Sequence, residues 1–312
     1  MTNSLGFVFP GQGSQAVGML GELAEQHAVI KETFAEASDA LGYDLWALSQ
    51  NGPEADLNHT DRTQPAILTA SVALWRLWCQ SSSVRPAFVA GHSLGEYSAL
   101  VAAEVLSFAD AVRLVERRGQ LMQQAVPEGQ GAMAAILGLG DEQIIELCAA
   151  ASQGQVVSAV NFNAPGQVVI AGETDAVARA IDACKDAGAK RAIALPVSVP
   201  SHCALMQPAA EQLSVDFAAL QWQKPGITLV QNVTARPAAD VADLRQLLVE
   251  QLYSPVRWVE SVIYMAEQGV TDLVECGPGK VLGGLNKRCS KAVNNHSLDS
   301  VASFAAFSEQ FA

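Results

Sequence analysis

The sequence predicts an α/β protein built from a parallel sheet with flanking helices, into which a smaller ferredoxin-like unit is inserted. Short apolar runs alternate with amphipathic helical stretches along most of the chain, as expected for a parallel sheet covered by helices. Between residues 127 and 197 the order changes to run, helix, two runs, helix, run. That is the βαββαβ order of a ferredoxin-like unit.

The remaining residues, 1–126 and 198–312, are predicted to form one large domain around this insertion, with prolines marking both ends of residues 127–197. In the first piece we expect strands at 5–9 and 87–90 and helices over 27–50, 65–79, 96–106 and 108–125. Pro65 is placed in the first turn of its helix. In the second piece we expect strands at 227–233 and 271–277 and helices over 206–220 and from about Val256. Residues 290–312 are weakly patterned, and we expect them to be partly frayed.

Composition restricts the class of function. Half the residues are hydrophobic and 16% are charged, which is typical of a globular protein. The net charge of −13 argues against binding to nucleic acid or to an anionic membrane. The six cysteines show no CxxC spacing, and neither a signal peptide nor an apolar window of ~18 residues is present. We therefore expect a soluble, cytoplasmic protein with reduced thiols.

The clearest motif is GHSLG, residues 91–95, which fits G-x-S-x-G between a predicted strand and a predicted helix. A sharp turn there would expose the Ser93 hydroxyl above the sheet edge. The helix N-terminus would stabilise negative charge developing on a carbonyl oxygen. The alternative is that Ser93 merely caps the helix. The strand–turn–helix context favours a nucleophile.

A serine nucleophile needs a base within hydrogen-bond reach. Neighbouring side chains leaving a strand point to opposite faces, so His92 is expected to be a packed, hydrogen-bonded residue and not the partner of Ser93. His27, His59 and His296 lie in an acidic helix, a polar loop and the weak tail. His202 follows the insertion, at a junction where clefts form, and is the leading candidate by elimination.

Two further features narrow the chemistry. The glycine loop FPGQGSQ (9–15) follows the first strand and could supply a backbone N–H to an oxyanion hole, although an ordinary connecting loop is the alternative. Arg117 and Arg118 are adjacent in a helix and therefore point in different directions. One could remain on the surface while the other binds a carboxylate in a cleft.

Seven motifs in order resemble the malonyl-coenzyme A:acyl carrier protein transacylases of bacterial fatty-acid synthesis, and the acyltransferase domains of larger synthases. They are FPGQGSQ, TQPA, GHSLGEYSAL, VERRG, NAPGQVVIAG, VPSH and VECGPGKVL, and they span about residues 5–290. The resemblance implies an α/β-hydrolase-like large domain with a ferredoxin-like insertion and a cleft between them.

The same resemblance implies catalytic roles. Ser93 is the acylated nucleophile, and His202 is its general base and acid. The backbone amides of Gln12 and Leu94 form the oxyanion hole. The implied reaction is ping-pong: Ser93 takes the malonyl group from malonyl-CoA, and the phosphopantetheine thiol of an acyl carrier protein then takes it from Ser93.

Binding roles follow in the same way. Arg118 pairs with the free malonyl carboxylate, and the backbone carbonyl of Gln251 orients the histidine. Asn163 and Gln64 match lesser positions near the cleft. The resemblance implies a monomer that needs no metal and no bound cofactor.

The carrier partner of this family is acidic, which contrasts with the negative charge of the chain. Two basic pairs are candidates for meeting it: Lys190 with Arg191, and Lys287 with Arg288. The alternative is that these side chains are ordinary solvated charges.

Other classes of protein fit the sequence less well. A serine esterase or thioesterase would have an acidic residue before its histidine in the order Ser, Asp/Glu, His, and none stands out here. GPGK (277–280) suggests nucleotide binding, but a P-loop needs glycine at 274 and serine or threonine at 281, where valines stand. GPG is expected to be a strand-to-helix turn. A non-catalytic interaction module would not require the GHSLG turn.

Overall fold

The structure, a computed structural model, describes residues 4–197 and 199–311. Residues 1–3, 198 and 312 lie outside the described residues, including the predicted domain boundary at 198. The described chain is a mixed α/β protein with two separate sheets, one of five parallel strands and one of four antiparallel strands.

The strands are β1 (Leu5–Phe9), β2 (Phe88–Gly91), β3 (Gly131–Leu137), β4 (Val157–Ala164), β5 (Gln167–Glu173), β6 (Arg191–Ala194), β7 (Thr228–Val230), β8 (Asp272–Glu275) and β9 (Asn294–Ser297). The helices are α1 (Gly21–Gln26), α2 (Ala28–Leu41), α3 (Leu45–Asn51), α4 (Glu54–Leu57), α5 (Thr60–Ser81), α6 (Gly95–Ala102), α7 (Phe108–Ala125), α8 (Asp141–Ser152), α9 (Thr174–Asp186), α10 (Gln207–Phe217), α11 (Val241–Glu250), α12 (Trp258–Glu267), α13 (Val281–Cys289) and α14 (Val301–Phe311).

The parallel sheet has the strand order β7-β2-β1-β8-β9. All five residues of β1 are buried, because helices cover both faces of the sheet and no side of the strand meets water. The carboxyl ends of β1 and β2 lie side by side, with Phe9 paired to Gly91. This register brings the Gln12 loop and the Ser93 turn to the same edge of the sheet.

The antiparallel sheet has the strand order β4-β5-β3-β6 and the element order β-α-β-β-α-β from β3 to β6. The two helices α8 and α9 supply the other half of its core. Ile144 on α8 and Val177 on α9 are buried with Ile136 and Ile170 of the sheet. The unit therefore has a hydrophobic core of its own.

The structure differs from the sequence-based expectation at the start of α5. The helix begins at Thr60, and Pro65 lies inside it instead of in its first turn. The first residues, TDRTQ, are polar. The spacing of apolar residues does not predict that these polar residues are helical. Several of them are buried by residues that are distant in the sequence.

The expectation of a frayed C-terminal segment is wrong. Residues 294–297 form β9 beside β8, and α14 packs its aromatic side chains onto the large core. The ring of Phe307 lies 4.9 Å from that of Trp78 and 6.2 Å from that of Phe7. Tertiary contacts therefore order a segment whose local pattern is weak.

The helix expected from about Val256 begins two residues later, at Trp258. Val256 itself forms an isolated bridge with Asn161, which ties this segment to the antiparallel sheet. None of the described helices is long and apolar enough to span a bilayer.

Candidate active site

Ser93 lies on a sharp turn between β2 and α6, with φ 52°. The two flanking glycines are required by close backbone approaches. A Cβ on Gly91 would lie 1.9 Å from the Gly95 carbonyl carbon, and one on Gly95 would lie 2.0 Å from the Phe9 oxygen. The left-handed backbone conformation of Ser93, between two positions that only glycine can occupy, directs its hydroxyl to the carboxyl edge of the sheet.

His202 is the histidine that the structure brings to this serine. Its Nε2 lies 2.7 Å from Ser93 Oγ, and its Nδ1 lies 2.6 Å from the backbone oxygen of Gln251. Because the carbonyl can only accept, Nδ1 carries the proton and Nε2 faces the hydroxyl as an acceptor. Burial lowers the pKa of His202 to about 3, and the positive charge of Arg118 also lowers it. The ring is therefore neutral at physiological pH and available to take a proton.

His92 does not contact Ser93. Its Nε2 lies 2.7 Å from Asn163 Oδ1, and its ring lies 5.5 Å from that of Trp258. Burial lowers the pKa of His92 too. Asn163 thus reaches the site through His92, as a link from the antiparallel sheet to the serine turn.

The candidate oxyanion hole consists of two backbone N–H groups. Gln12 and Leu94 line the same cavity as Ser93. Within residues 4–197 and 199–311, neither backbone N–H donates to a protein acceptor. Both are therefore available to an oxygen placed beside Ser93 Oγ.

Arg118 is 1% exposed and extends from α7 into the site. It donates to Gln64 Oε1 at 2.8 Å and to Gln251 Oε1 at 3.0 Å, and its Nη2 lies 3.4 Å from Ser93 Oγ. Its charge is buried at hydrogen-bond distance from the nucleophile, so the site favours a substrate with an anionic group. Arg117 points outward and pairs with Asp216.

Asn232 is a site residue that the sequence did not reveal. Its Oδ1 accepts from the backbone N–H of Ser93 at 2.7 Å, and its Nδ2 donates to the oxygen of Gly91 at 2.6 Å. One amide side chain thus bridges the turn on both sides of the serine. The available signal was a pair of polar residues directly after the apolar run of β7.

Glu96 is a second missed residue, 1% exposed on the first turn of α6. Its Oε2 accepts from Gln251 Nε2 at 2.8 Å and from the backbone N–H of Asn232 at 3.1 Å. Burial raises the pKa of this carboxyl to about 7. In the sequence it resembles an ordinary acidic residue at a helix N-terminus.

The reacting groups face a cavity of about 120 Å³ between the two sheets. The antiparallel sheet and the segment after it contribute a mostly apolar wall, which includes Met133 and Leu195, together with Asn161. A second cavity of about 320 Å³ lies adjacent and shares the lining residues Gln12, Val197 and Val199. The site therefore has room for an acyl group and a neighbouring space for a longer arm.

The two basic pairs are exposed, and one member of each lies near the turn between β4 and β5. Arg288 donates to the oxygen of Pro165 and to Gln167 on that turn. The Lys190 stem packs beside Gly138, whose N–H donates to the oxygen of Gly166 at 2.9 Å. Arg288 thus contacts this turn, and Lys190 lies beside a residue that hydrogen-bonds to it.

The alternatives raised by the sequence find little support in this geometry. His202 Nδ1 faces a backbone carbonyl where an esterase would place a carboxylate. At the GPGK turn, the N–H groups that open α13 donate to Glu275, at 3.0 Å from Leu282 and 2.8 Å from Gly283, and are not free for a phosphate. No cluster of three His, Cys, Asp or Glu side chains suited to a metal occurs among the described residues.

The fold and the site define an acyltransferase, and comparison with known proteins agrees. The family model described as an acyl transferase domain matches residues 6–303. The malonyl CoA-acyl carrier protein transacylase of Salmonella typhimurium is 60% identical over 300 residues, which cover 96% of this chain and 97% of the relative. That of Bacillus subtilis is 46% identical, with 93% and 91% covered.

Solved structures are equally similar. An acyl carrier protein S-malonyltransferase from Vibrio cholerae has a TM-score of 0.96 and 61% identity, covering 98% of this chain and 100% of that chain. A malonyl-transacylase in complex with its type II PKS acyl-carrier protein has a TM-score of 0.97 and 55% identity, with 99% and 100% covered. The chain belongs to the malonyl-CoA:acyl carrier protein transacylase family.

Proposed function

We propose that the chain transfers the malonyl group of malonyl-CoA to the phosphopantetheine thiol of an acyl carrier protein, in a ping-pong reaction through acyl-Ser93. The observation that carries the proposal is a serine–histidine pair with a buried arginine at hydrogen-bond distance from the serine. A plain hydrolase needs the pair alone, whereas the arginine serves an acyl group that bears a carboxylate.

In the first half-reaction, Ser93 Oγ attacks the thioester carbonyl carbon while its proton moves to His202 Nε2. The carbonyl oxygen becomes negative and accepts from the backbone N–H groups of Gln12 and Leu94. The C–S bond then breaks, and the leaving CoA sulfur takes the proton from His202. Gln251 supports these steps because its carbonyl holds His202 in the tautomer that can accept.

In the second half-reaction, the phosphopantetheine thiol gives its proton to His202 Nε2 and attacks the acyl-Ser93 ester. The tetrahedral intermediate uses the same two N–H groups, and the C–O bond to Ser93 breaks as the serine oxygen regains the proton. Both steps use side chains and backbone groups of the chain, so the proposal includes no metal and no resident cofactor.

Arg118 gives the reaction its selectivity. Malonyl-CoA presents a carboxylate to a buried guanidinium that has no ion-pair partner among the described residues, whereas acetyl-CoA leaves that charge unpaired. Gln64 and Gln251 hold the guanidinium in place through their amide oxygens. The adjacent cavity of about 320 Å³ is the proposed path of the thioester arm.

We describe the large part, residues 1–126 and 198–312, as α/β-hydrolase-like, and residues 127–197 as a ferredoxin-like domain. The βαββαβ order with strand order β4-β5-β3-β6 supports the second description, and the serine turn after β2 supports the first. The active-site cleft then lies between the two domains. We also propose that the chain acts as a monomer in the cytoplasm, in fatty-acid synthesis.

The docking surface for the acidic carrier protein is proposed near the turn between β4 and β5, with the exposed side chains of Lys190, Arg191, Lys287 and Arg288 as its cations. This turn follows Asn163, whose side chain bonds His92 beside the nucleophile. A carrier bound there would lie near the cleft, and long-range attraction would favour its encounter with an otherwise acidic enzyme.

The proposal is tested by intact-mass analysis after the protein is mixed with malonyl-CoA. We expect a malonyl-sized adduct that is absent in Ser93→Ala and that disappears when holo carrier protein is added. Release of free malonate without an adduct would identify a hydrolase instead.

A further inference from the structure

Glu96 and Arg118 carry opposite charges in the same buried site, yet they do not touch. Each is 1% exposed. Among the ion pairs of the described residues none involves either side chain. Glu96 Oε1 and Arg118 Nε both lack a hydrogen-bond partner there. A buried carboxyl and a buried guanidinium that are each incompletely satisfied indicate a site whose charge is balanced at a distance.

The side chain of Gln251 connects the two groups. Its Nε2 donates to Glu96 Oε2 at 2.8 Å and to the backbone oxygen of Ser93 at 2.9 Å, and its Oε1 accepts from Arg118 at 3.0 Å. An amide has one donating and one accepting end. The acceptor at Glu96 therefore sets the orientation of the amide, which turns its oxygen toward Arg118.

Other titratable groups in this site are neutral near pH 7. Burial raises the pKa of Tyr97 to about 12 and lowers the pKa of His202 to about 3 and that of His92 below its usual value. Arg118, on α7, is the charged group that acts on Glu96 from the elements packed against α6. The ionisation of Glu96 thus responds to whatever happens to the charge of Arg118.

We propose that Glu96 is a positioning residue whose protonation is coupled to the binding of a carboxylated acyl group. This inference rests on the function proposed above. In the free enzyme, the carboxylate of Glu96 balances Arg118. When the acyl carboxylate binds Arg118, a second negative charge enters the site, and the Glu96 carboxylate takes up one proton from solvent to become a neutral carboxylic acid.

The hydrogen bonds of the site survive this step. The proton resides on Oε1, which has no partner, while Oε2 continues to accept from Gln251 and from the Asn232 backbone. Gln251 therefore keeps its orientation, and so do Arg118 and His202. Burial raises the pKa of Glu96 to about 7. Below that pH the carboxyl is already protonated, so a carboxylated acyl group binds most strongly there, and its binding weakens as the pH rises.

The test compares malonyl-CoA with acetyl-CoA in the acylation half-reaction, between about pH 6 and pH 9. Both substrates carry the same CoA, so the ratio of their kcat/KM values cancels its ionisations. In the unmodified protein we expect the malonyl:acetyl ratio of kcat/KM values to fall by about fivefold or more as the pH rises. Fivefold is the lower end of the coupling that is typical between two binding sites. In Glu96→Gln the ratio should be independent of pH.

Ser98→Ala is the matched control, because it removes a buried hydroxyl without a partner from the same helix and leaves the charge unchanged. We expect this variant to keep the pH dependence of the unmodified protein. A ratio that stays constant with pH in the unmodified protein overturns the proposal. So does an unchanged pH dependence in Glu96→Gln.

A second measurement does not depend on the folding of a Glu96 variant. Calorimetric titration of Ser93→Ala with malonyl-CoA, in two buffers of different ionisation heat, should show proton uptake near neutral pH, and acetyl-CoA should show none. Equal uptake with both ligands overturns the coupling. A malonyl adduct on Ser93 in the unmodified protein without any proton coupling removes this inference alone, whereas absence of the adduct removes the proposed function.

Discussion

The two sheets of the molecule contribute to the site in different ways. The groups that hydrogen-bond to Ser93 come from α7, from the segment between β6 and α10, and from the residues that follow β7 and α11: Arg118, His202, Asn232 and Gln251. The antiparallel sheet presents a mixture of buried and half-buried residues: in β3, Ala132, Ala135 and Leu137 are half-buried and the other residues are buried. Its polar bond to the serine turn is the one from Asn163 to His92.

The difference follows from strand geometry. In a parallel sheet all strands end at one edge, so loops from distant parts of the sequence converge there and satisfy one another's buried polar groups. An antiparallel sheet with one packed face leaves its other face free to line a cleft. We therefore expect the edge of the parallel sheet to carry the chemistry and the antiparallel sheet to shape the space for the acyl group and its arm. Four substitutions test this division.

The largest loss is expected for His202→Ala. Removing the proton acceptor of Ser93 should slow acylation by about 10³-fold or more, as for other members of such catalytic units. The rate of single-turnover acylation from malonyl-CoA measures it. Asn163→Ala, which removes the bond from the antiparallel sheet, is the comparison variant and should cost far less. Comparable losses in the two variants would contradict the division between the sheets.

The same variant has a consequence for stability. Burial lowers the pKa of His202 from 6.5 to about 3 in the folded protein. Between these two pH values the unfolded chain therefore binds more protons than the folded chain. Stability contributed by neutral His202 is therefore present above pH 6.5 and is lost as the pH falls. Urea unfolding at several pH values should show a shallower acid dependence in His202→Ala.

Arg118→Ala is expected to have the next largest effect. The kcat/KM for malonyl-CoA should fall by about 10²-fold, because the acyl carboxylate loses its charged partner in a buried site. Acetyl transfer should be preserved or increased. Measurement of both substrates with the same carrier protein gives the ratio. If the preference for malonyl-CoA persists, acyl selection does not reside in Arg118.

Asn232→Ala should have a moderate effect on both rate and stability. It leaves the Ser93 N–H and the Gly91 oxygen without their partner, at about 1–3 kcal/mol for each buried group left unpaired. We also expect about tenfold slower acylation, because the serine turn is less well held. Asn161→Ala is the matched control from the antiparallel sheet: its Oδ1 has no partner among the described residues. Chemical denaturation should show little change for it.

The smallest effect is expected for Lys287→Glu. Arg288 is tied to the turn between β4 and β5 by hydrogen bonds, so Lys287 gives the cleaner charge reversal. Transfer to the carrier protein should fall by about two- to fivefold at low salt, with malonyl-CoA acylation unchanged. Lys31→Glu, on α2, changes the net charge equally. Equal losses in both variants would indicate an effect of net charge alone.

Local features of the sequence were sufficient to predict much of this site. The GHSLG turn is specified by residues that are adjacent in the chain, so the turn and the position of its serine follow from these five residues and the apolar run before them. Adjacent helical positions diverge by about a hundred degrees, which predicted that Arg117 and Arg118 point in different directions, and the family resemblance then favoured Arg118. Elimination among five histidines was enough to favour His202, because it alone comes directly after the insertion.

The contacts that support these residues were decided by the tertiary structure. Asn232 and Glu96 meet across 136 residues, and Glu96 meets Gln251 across 155. A buried polar side chain can support the site only if the fold brings a hydrogen-bond partner to it. Neither periodicity nor a short motif in the sequence identifies that partner. The same reason applies to the C-terminal segment, whose α14 is ordered by aromatic contacts with α5 and β1. The sequence by itself determined the serine turn and the family, and it predicted Ser93 as the nucleophile. Only the tertiary structure decided which buried charges share one site, because that depends on loops converging at the edge of the parallel sheet.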